Sequence, residues 1–294
     1  MKLAIAIITM NRAQQLKEAI ESCFRSKLPD DTEFVVIDNA STDNTQAVVE
    51  DLFHASPYHL YYEKLNDNLG VGKGRNYAFS KASAEYVYFL DDDAYIDITH
   101  NQDFFINAIK ILDENDIIKT LTTQIFDLLW DKNRVEIDGP LYKEGLYKCY
   151  RFCGGSHFLR SSFFKGSDPY FPNKYGLEEI FPSLRVAEEG GINAFAPSLN
   201  VIHNPKVNKW SSGNKELLVT EIVSKYAIKS IIYPVLTIPV LYFAFLARSI
   251  KVLNIKFIIQ AHKKIKDLKN NVETKRIKNS TVYKLFKDFG FSVF

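Results

Sequence analysis

Three adjacent carboxylates, Asp91-Asp92-Asp93, follow directly on the apolar run Tyr86–Leu90. Carboxylates this close repel one another. A hard divalent ion, Mg2+ or Mn2+, offsets that repulsion, and such ions are commonly shared between one or two carboxylates and substrate phosphates. If strand alternation continues past Leu90, Asp91 and Asp93 share one side and Asp92 takes the other. A second cluster, Asp38-Asn39-Ala40-Ser41-Thr42-Asp43-Asn44-Thr45, also follows an apolar run, and Thr9, Asn11 and Arg12 close a third. Asp38 can accept hydrogen bonds from a base N–H or a ribose hydroxyl, and Arg12 can meet phosphate. Ser41-Thr42-Asp43 also has the composition of an ordinary helix cap. The glycine-rich stretch Asn68–Asn76 (NLGVGKGRN) matches neither phosphate motif it superficially resembles. A P-loop needs Gly where Asn68 stands and Ser or Thr where Gly74 stands, and the dinucleotide fingerprint needs Gly where Arg75 stands. What remains is a flexible loop entering a helix, with Arg75 on its first turns.

The elements that must position these groups are legible over the first hundred residues. Short β-rich runs at Lys2–Thr9, Glu33–Asp38, Leu60–Glu63 and Glu85–Leu90 alternate with helical spacing. Leu16, Ala19, Ile20, Cys23 and Phe24 form one helical stripe, and Val48, Val49, Leu52 and Phe53 form another. This is the pattern of βαβ units and a largely parallel sheet. Ligands of open parallel sheets sit beyond the carboxyl ends of the strands, where the acidic and Arg12-bearing clusters fall. Further on, the pattern predicts a helix near Phe104–Asn115 and strands around Thr120–Asp127 and Asn193–His203.

With 294 residues, 46% hydrophobic and 24% charged, and only 13 Gly and 10 Pro, the chain excludes disordered and fibrous classes and has room for one large α/β domain or two smaller ones. Three cysteines, Cys23, Cys149 and Cys153, are too few and odd in number for a disulfide framework, which favours a reducing compartment. The opening MKLAIAIITMNR lacks a small-residue cleavage site and reads as a first strand rather than a signal peptide.

The formal net charge of +2 conceals strong polarity: Arg248–Phe294 carries 12 Lys/Arg against 3 Asp/Glu, a net of +9, leaving −7 for the rest. A basic tail on an acidic body points to a polyanionic surface. Just before it, Ser230–Ala247 is an uncharged stretch of 18 residues, the lower limit for a membrane span. Pro234 and Pro239 favour peripheral or re-entrant attachment over a clean span. Val282, Leu285, Phe286 and Phe289 recur at helical spacing opposite Lys284, Lys287 and Asp288, an amphipathic basic helix. An anionic membrane surface is therefore the expected partner and nucleic acid is not, with a homo-oligomer interface through 214–294 as the other reading. The expected location is cytoplasmic, peripheral on the inner face of the cell membrane.

In order, Thr9-x-Asn11-Arg12, Ile37–Thr45 (IDNxSTDNT), Asn68–Asn76 (NxGxxxGRN) and Phe89–Asp93 (FLDDD) closely resemble the motifs of bacterial family 2 glycosyltransferases. The resemblance implies an α/β protein of GT-A type, with a Rossmann-like nucleotide-binding sheet and a helical C-terminal extension. It implies a catalytic domain over 1–213, with a nucleotide-sugar half at 1–100 and an acceptor half at 101–213, and a membrane-associating or oligomerising segment at 214–294. By position, Thr9, Asn11, Arg12, Asp38, Asn68, Gly70 and Arg75 would hold the nucleotide. Asp91 and Asp92 would meet ribose and diphosphate, and Asp93, Asp91 and His203 the metal. The late acidic motif fits Tyr175–Arg185 (YGLEEIFPSLR) and puts the catalytic base at Glu179. Glu178 is the alternative, because Glu stands where Asp is common and Phe181 where a second acid often occurs. Gly154-Gly155-Ser156 resembles the segment lining the acceptor side. The implied activity is inverting transfer from a nucleotide-diphospho-sugar, expected to be a UDP-sugar, to a hydroxyl of a cell-envelope glycan or lipid-linked saccharide, with Mn2+ or Mg2+. Two rivals were weighed. A sugar-phosphate nucleotidyltransferase would carry a glycine-rich segment after the first strand, and Ile8–Gln15 has no glycine. A non-catalytic scaffolding homologue would have no need of the intact Asp91–Asp93 and Glu178-Glu179.

Overall fold

The runs LAIAIIT, TEFVVID and YVYFL are apolar on both pleat faces, so they need cover on both sides of a sheet. The computed structural model describes residues 1–173, 176–205, 215–250, 256–272 and 274–294. In it these runs become β1 (Leu3–Thr9), β2 (Thr32–Asp38) and β4 (Tyr86–Leu90). They are joined through α1 (Ala13–Arg25), α2 (Thr45–Phe53), β3 (His59–Lys64) and α3 (Val71–Lys81). Successive side chains of β1 enter opposite cores: Leu3, Ile5 and Ile7 pack with Leu16 and Val49, while Ala4 and Ala6 pack with Ala78. The chain continues through β5 (Ala94–Ile96), α4 (Phe104–Asp113), β6 (Ile118–Asp127), β7 (Lys132–Asn133), β8 (Leu141–Lys143) and β9 (Leu146–Lys148). It closes the sheet with β10 (Ser156–Arg160), α5 (Ser161–Phe164), α6 (Ile180–Glu188) and β11 (Ile192–His203).

The strand order is β3-β2-β1-β4-β10-β6-β11-β9-β8, with β5 on β11 and β7 on β6. Register brings the polar clusters together. In the parallel pair β1/β2, Thr9 lies opposite Asp38, and antiparallel β10 sets Ser156 opposite Leu90, which puts the Cys153–Gly155 loop beside Asp91. On the far side β11 carries His203 opposite Asp127 of β6 and opposite Ala94 of β5, one residue from Asp93.

Contacts divide the chain into two units, Met1–Val186 with Gly190–Lys206, and Ala187–Glu189 with Val207–Phe294. The expected boundary at 213 falls within 206–214, outside the described residues, as does Tyr175 of the late acidic motif. The second unit is helical: α7 (Lys215–Ile232), a 3-10 turn at Val235–Thr237, α8 (Ile238–Ile250), α9 (Lys256–Asn271) and α10 (Asn279–Phe289).

The uncharged stretch Ser230–Ala247 is not one helix, because α7 ends before Pro234, in keeping with the expectation that its prolines disfavour a clean span, and among the described residues no helix is long and apolar enough to cross a membrane. One expectation for this region is corrected: the apolar face of α10 is not wholly offered outward. Val282 and Leu285 are buried. The chain around them is tied down by Lys229 Nζ and the Tyr233 hydroxyl, both donating to the Val293 carbonyl at 2.7 Å. Apolar side chains that do face out include Val235, Leu236, Phe243 and Phe291, at 67%, 79%, 71% and 75% exposed.

Candidate active site

The loops after β1 and β2 are laced to each other. Asn11 adopts φ 54°, a left-handed conformation that Asn tolerates better than most side chains. Its Oδ1 accepts from Thr42 N at 2.7 Å, and its own N–H donates to Ser41 Oγ at 2.9 Å. Thr9 is buried at the end of β1. Asp38, expected to meet a base or ribose, is wholly buried. Its Oδ1 accepts from Ser41 N at 2.7 Å and its Oδ2 from the Tyr62 hydroxyl at 3.0 Å, so its carboxylate shapes the loop from within. Asn68 acts locally as well, its Oδ1 accepting from Gly70 N at 2.7 Å where Gly70 turns at φ 78° into α3.

The expected flexible glycine loop is corrected by its packing. Gly72 and Gly74 lie inside α3. A Cβ on Gly72 would overlap the Phe171 carbonyl, and one on Gly74 would press on Ile8. These glycines provide close approach and not mobility.

The acidic triplet does not continue the strand. β4 ends at Leu90, Asp91 N–H donates to the Gly155 carbonyl at 3.0 Å, and a turn closes with Ala94 N–H on the Asp91 carbonyl at 3.0 Å. Asp91 and Asp93 do present oxygens to one group, but Asp92 is not set apart from them: Arg12 Nη1 reaches both Asp92 Oδ1 at 2.6 Å and Asp93 Oδ2 at 2.8 Å. Arg12, expected on a phosphate, pairs here with two of the three acids. Burial pushes the Asp92 carboxyl up to about 6, against the pull of Arg12 and with the help of Asp93. Burial would also raise Asp93, but the hydrogen bond and charge of His203, together with Arg12, hold it below the usual carboxylate range.

One ligand atom each from Asp91, Asp93 and His203 lie within 4.8 Å of one another. Two carboxylate oxygens and an imidazole nitrogen are a donor set that Mn2+ or Mg2+ accepts with positions left for phosphate oxygens, so the residues fit the implied ion.

The acids of the late motif sit across a single guanidinium. Arg75, 4% exposed, donates from Nη1 to Glu178 Oε1 at 2.6 Å and from Nη2 to Asp91 Oδ1 at 2.9 Å and to the Gly154 carbonyl at 2.8 Å. Its side chain thus spans Asp91, one of the residues expected at the nucleotide, and Glu178 of the acid pair. Glu178 is buried, and burial together with the adjacent Glu179 charge lifts its carboxyl to about 7 despite Arg75. Glu179 is more open, its Oε2 lying 3.9 Å from Arg151 Nη1. Gly154 and Gly155 leave room for this arrangement. A Cβ on Gly154 would overlap the Glu179 carboxylate and crowd Arg75, and one on Gly155 would stand 3.1 Å from Asp91 Oδ2.

Sequence reasoning missed Asp127 and Arg134. Asp127 is buried behind His203, accepting from its Nδ1 at 2.9 Å and from Arg134 Nε at 2.9 Å. The pattern that singled out Asp38, an acid closing a predicted strand, also fits Asp127 and was the available clue.

The model of glycosyl transferase family 2 matches residues 4–150, half of the chain. The chain belongs to glycosyl transferase family 2. Among its relatives are the poly(ribitol-phosphate) β-N-acetylglucosaminyltransferase TarS of Staphylococcus aureus, 34% identical over 118 residues, and the GalNAc(5)-diNAcBac-PP-undecaprenol β-1,3-glucosyltransferase of Campylobacter jejuni, 35% identical over 92 residues. These matches take in 39% and 31% of this chain but only 19% and 29% of those proteins. Residues 1–349 of S. aureus TarS with UDP-GlcNAc superpose with a TM-score of 0.60 at 19% identity, covering 91% of this chain and 89% of that one. A mannosyltransferase of Pyrobaculum calidifontis with GDP-Man and Mn2+ gives 0.60 at 16% identity, covering 97% and 79%. At such identities the likeness is one of fold, and the fold is the GT-A type of the family with a helical C-terminal region.

Proposed function

We propose that this family 2 member is a metal-dependent, inverting glycosyltransferase. It moves a sugar from a nucleotide-diphospho-sugar, a UDP-sugar by preference, to a hydroxyl of a cell-envelope glycan or lipid-linked saccharide. The observation that carries the reading is Arg75, whose two nitrogens join Asp91 of the Asp91/Asp93/His203 group to Glu178 of the acid pair. A leaving-group site and a candidate base are thereby held one guanidinium apart. Residues 1–100 serve the donor, through the laced loops of Thr9, Asn11 and Asp38 with Asn68 and Gly70, and 101–213 serve the acceptor beside Gly154-Gly155-Ser156. The UDP-GlcNAc in the TarS structure supports the donor class, and the activities of the two relatives support the acceptor class.

Glu179 takes the proton of the acceptor hydroxyl as its oxygen attacks the anomeric carbon. The bond from that carbon to the diphosphate oxygen breaks in the same step, on the opposite face, so the configuration inverts. Asp91, Asp93 and His203 would hold a divalent ion, which when bound would supply Lewis-acid stabilisation of the departing diphosphate. Incubation with a panel of nucleotide sugars and Mn2+ tests the reading without knowledge of the acceptor. Slow hydrolysis of one UDP-sugar is expected. Inertness towards every donor, with no donor bound, would overturn it.

The C-terminal region is proposed to bring the enzyme to the anionic, cytoplasmic face of a membrane. Support comes from the net +9 of Arg248–Phe294 and from the exposed apolar side chains of Leu236 and Phe243. Basic residues near anionic lipid contribute about 1 kcal/mol each. The full chain should float with anionic vesicles, high salt should release it in part, and Leu236→Glu with Phe243→Glu should weaken the salt-resistant fraction. Failure to float, together with an oligomer that these substitutions dissociate, would make these side chains a self-association contact instead.

A further inference from the structure

Asp127 closes β6 and is 1% exposed, yet none of the motifs above includes it. Three fixed donors and one imidazole nitrogen converge on its carboxylate. Oδ1 accepts from the backbone N–H groups of Leu129 and Trp130, each at 3.0 Å. Oδ2 accepts from Arg134 Nε at 2.9 Å and lies 2.9 Å from His203 Nδ1. Two backbone N–H groups and a guanidinium can only donate, so a carboxylate accepting at both oxygens matches the site. The consequence falls on His203. With Nδ1 facing an oxygen that can only accept, that nitrogen carries a proton, and Nε2 is the ring atom turned towards Asp93 Oδ1 at 3.2 Å. The ring is further constrained from behind: Arg134 is held by Asp127 and lies over the Trp130 ring, 4.8 Å from its centroid, while Leu128 N–H donates to the His203 carbonyl at 3.0 Å.

We infer that Asp127 is a positioning residue for the metal group: it fixes the orientation of His203 with Nδ1 turned to its own carboxylate, so that Nε2 is the ring nitrogen left to meet a cation beside Asp91 and Asp93, and Arg134 locks it in that role. The inference rests on the proposed metal dependence. Its physical basis is general, since a carboxylate accepting the far N–H of a ligating imidazole sets the ring's tautomer and raises its basicity. Such an arrangement needs long-range register, here the parallel pairing that sets His203 opposite Asp127.

Asp127→Asn tests it, because an amide has the same shape but must turn its NH2 either to the backbone donors or to His203 and Arg134. Mn2+ binding to the full chain is measured by electron paramagnetic resonance, with and without UDP. UDP binding in EDTA and thermal unfolding are followed in parallel. Mn2+ affinity should fall by about 10- to 100-fold, the range usual for loss of such a partner, with UDP binding in EDTA unchanged. Arg134→Gln should lower Mn2+ affinity in the same direction but by less. It carries the test if Asp127→Asn does not fold. Should a folded variant bind Mn2+ as wild type does and merely melt earlier, Asp127 is a structural residue and the inference is wrong. Should wild type itself bind neither Mn2+ nor Mg2+, the metal reading falls, and the inference with it.

Discussion

Glu179→Gln should lose transfer to the acceptor by about a hundred- to ten-thousand-fold while donor binding survives, because a general base acts on the acceptor proton and not on the nucleotide. The two acids are adjacent in sequence but not equivalent in place. Glu178 is buried and bound by Arg75 at 2.6 Å, and its carboxyl is lifted to about 7 by burial and by Glu179. A group so held is a poor candidate for meeting a substrate hydroxyl. Its removal should disturb Arg75, and through it Asp91, so Glu178→Gln should weaken donor binding as well as turnover. Glu179, with its side chain 13% exposed and Arg151 at 3.9 Å, has access to an incoming acceptor. Steady-state kinetics of transfer, paired with calorimetry of UDP binding, separates the two. If Glu178→Gln loses turnover with normal UDP affinity while Glu179→Gln is active, the base is Glu178. If both variants turn over normally, it lies outside the pair.

Asp93→Asn should abolish the metal-dependent part of donor binding, by at least the roughly hundred-fold that loss of a mere supporting residue can cost. Asp93 faces His203 Nε2 at 3.2 Å and Arg12 at 2.8 Å, and these cations hold its carboxyl below the usual range, so it enters the site ionised. The amide keeps the shape but not the charge. Calorimetry of UDP with Mn2+ and with EDTA reads the effect directly. Wild type should bind more tightly with Mn2+, and Asp93→Asn should show one affinity in both. Equal affinity for wild type in the two conditions would remove Asp91 and Asp93 from the metal role.

Local pattern alone determined the elements of the first half. The runs that became β1, β2 and β4 are apolar on both faces, and each ends within a residue or two of its expected position, because a strand buried on both sides has to be continuous in hydrophobicity. The acids at the strand ends were legible as charges closing apolar runs, but that Asp38, Asp92 and Asp93 are buried there was not. The amphipathic spacing of α10 was also correct as a helix, but whether its apolar face met lipid or the rest of its own unit was not encoded in its period. Val282 and Leu285 turned inward, while Leu236 and Phe243, which follow no such simple stripe, stayed out.

The partnerships of the site were decided by tertiary structure. Nothing near Asp127 in the sequence announces His203; the β6/β11 register does. The turn at Asp91 left Asp91 and Asp93 in one group but also brought Asp92 and Asp93 onto a shared Arg12. Arg75 faced the acids because glycines let α3 approach the Phe171 segment, where a Cβ would have collided. Periodicity is a local property and reports which face of an element is buried. Register, close approach and the sharing of one cation among distant acids depend on how separate elements pack, and are set only when the chain has closed on itself.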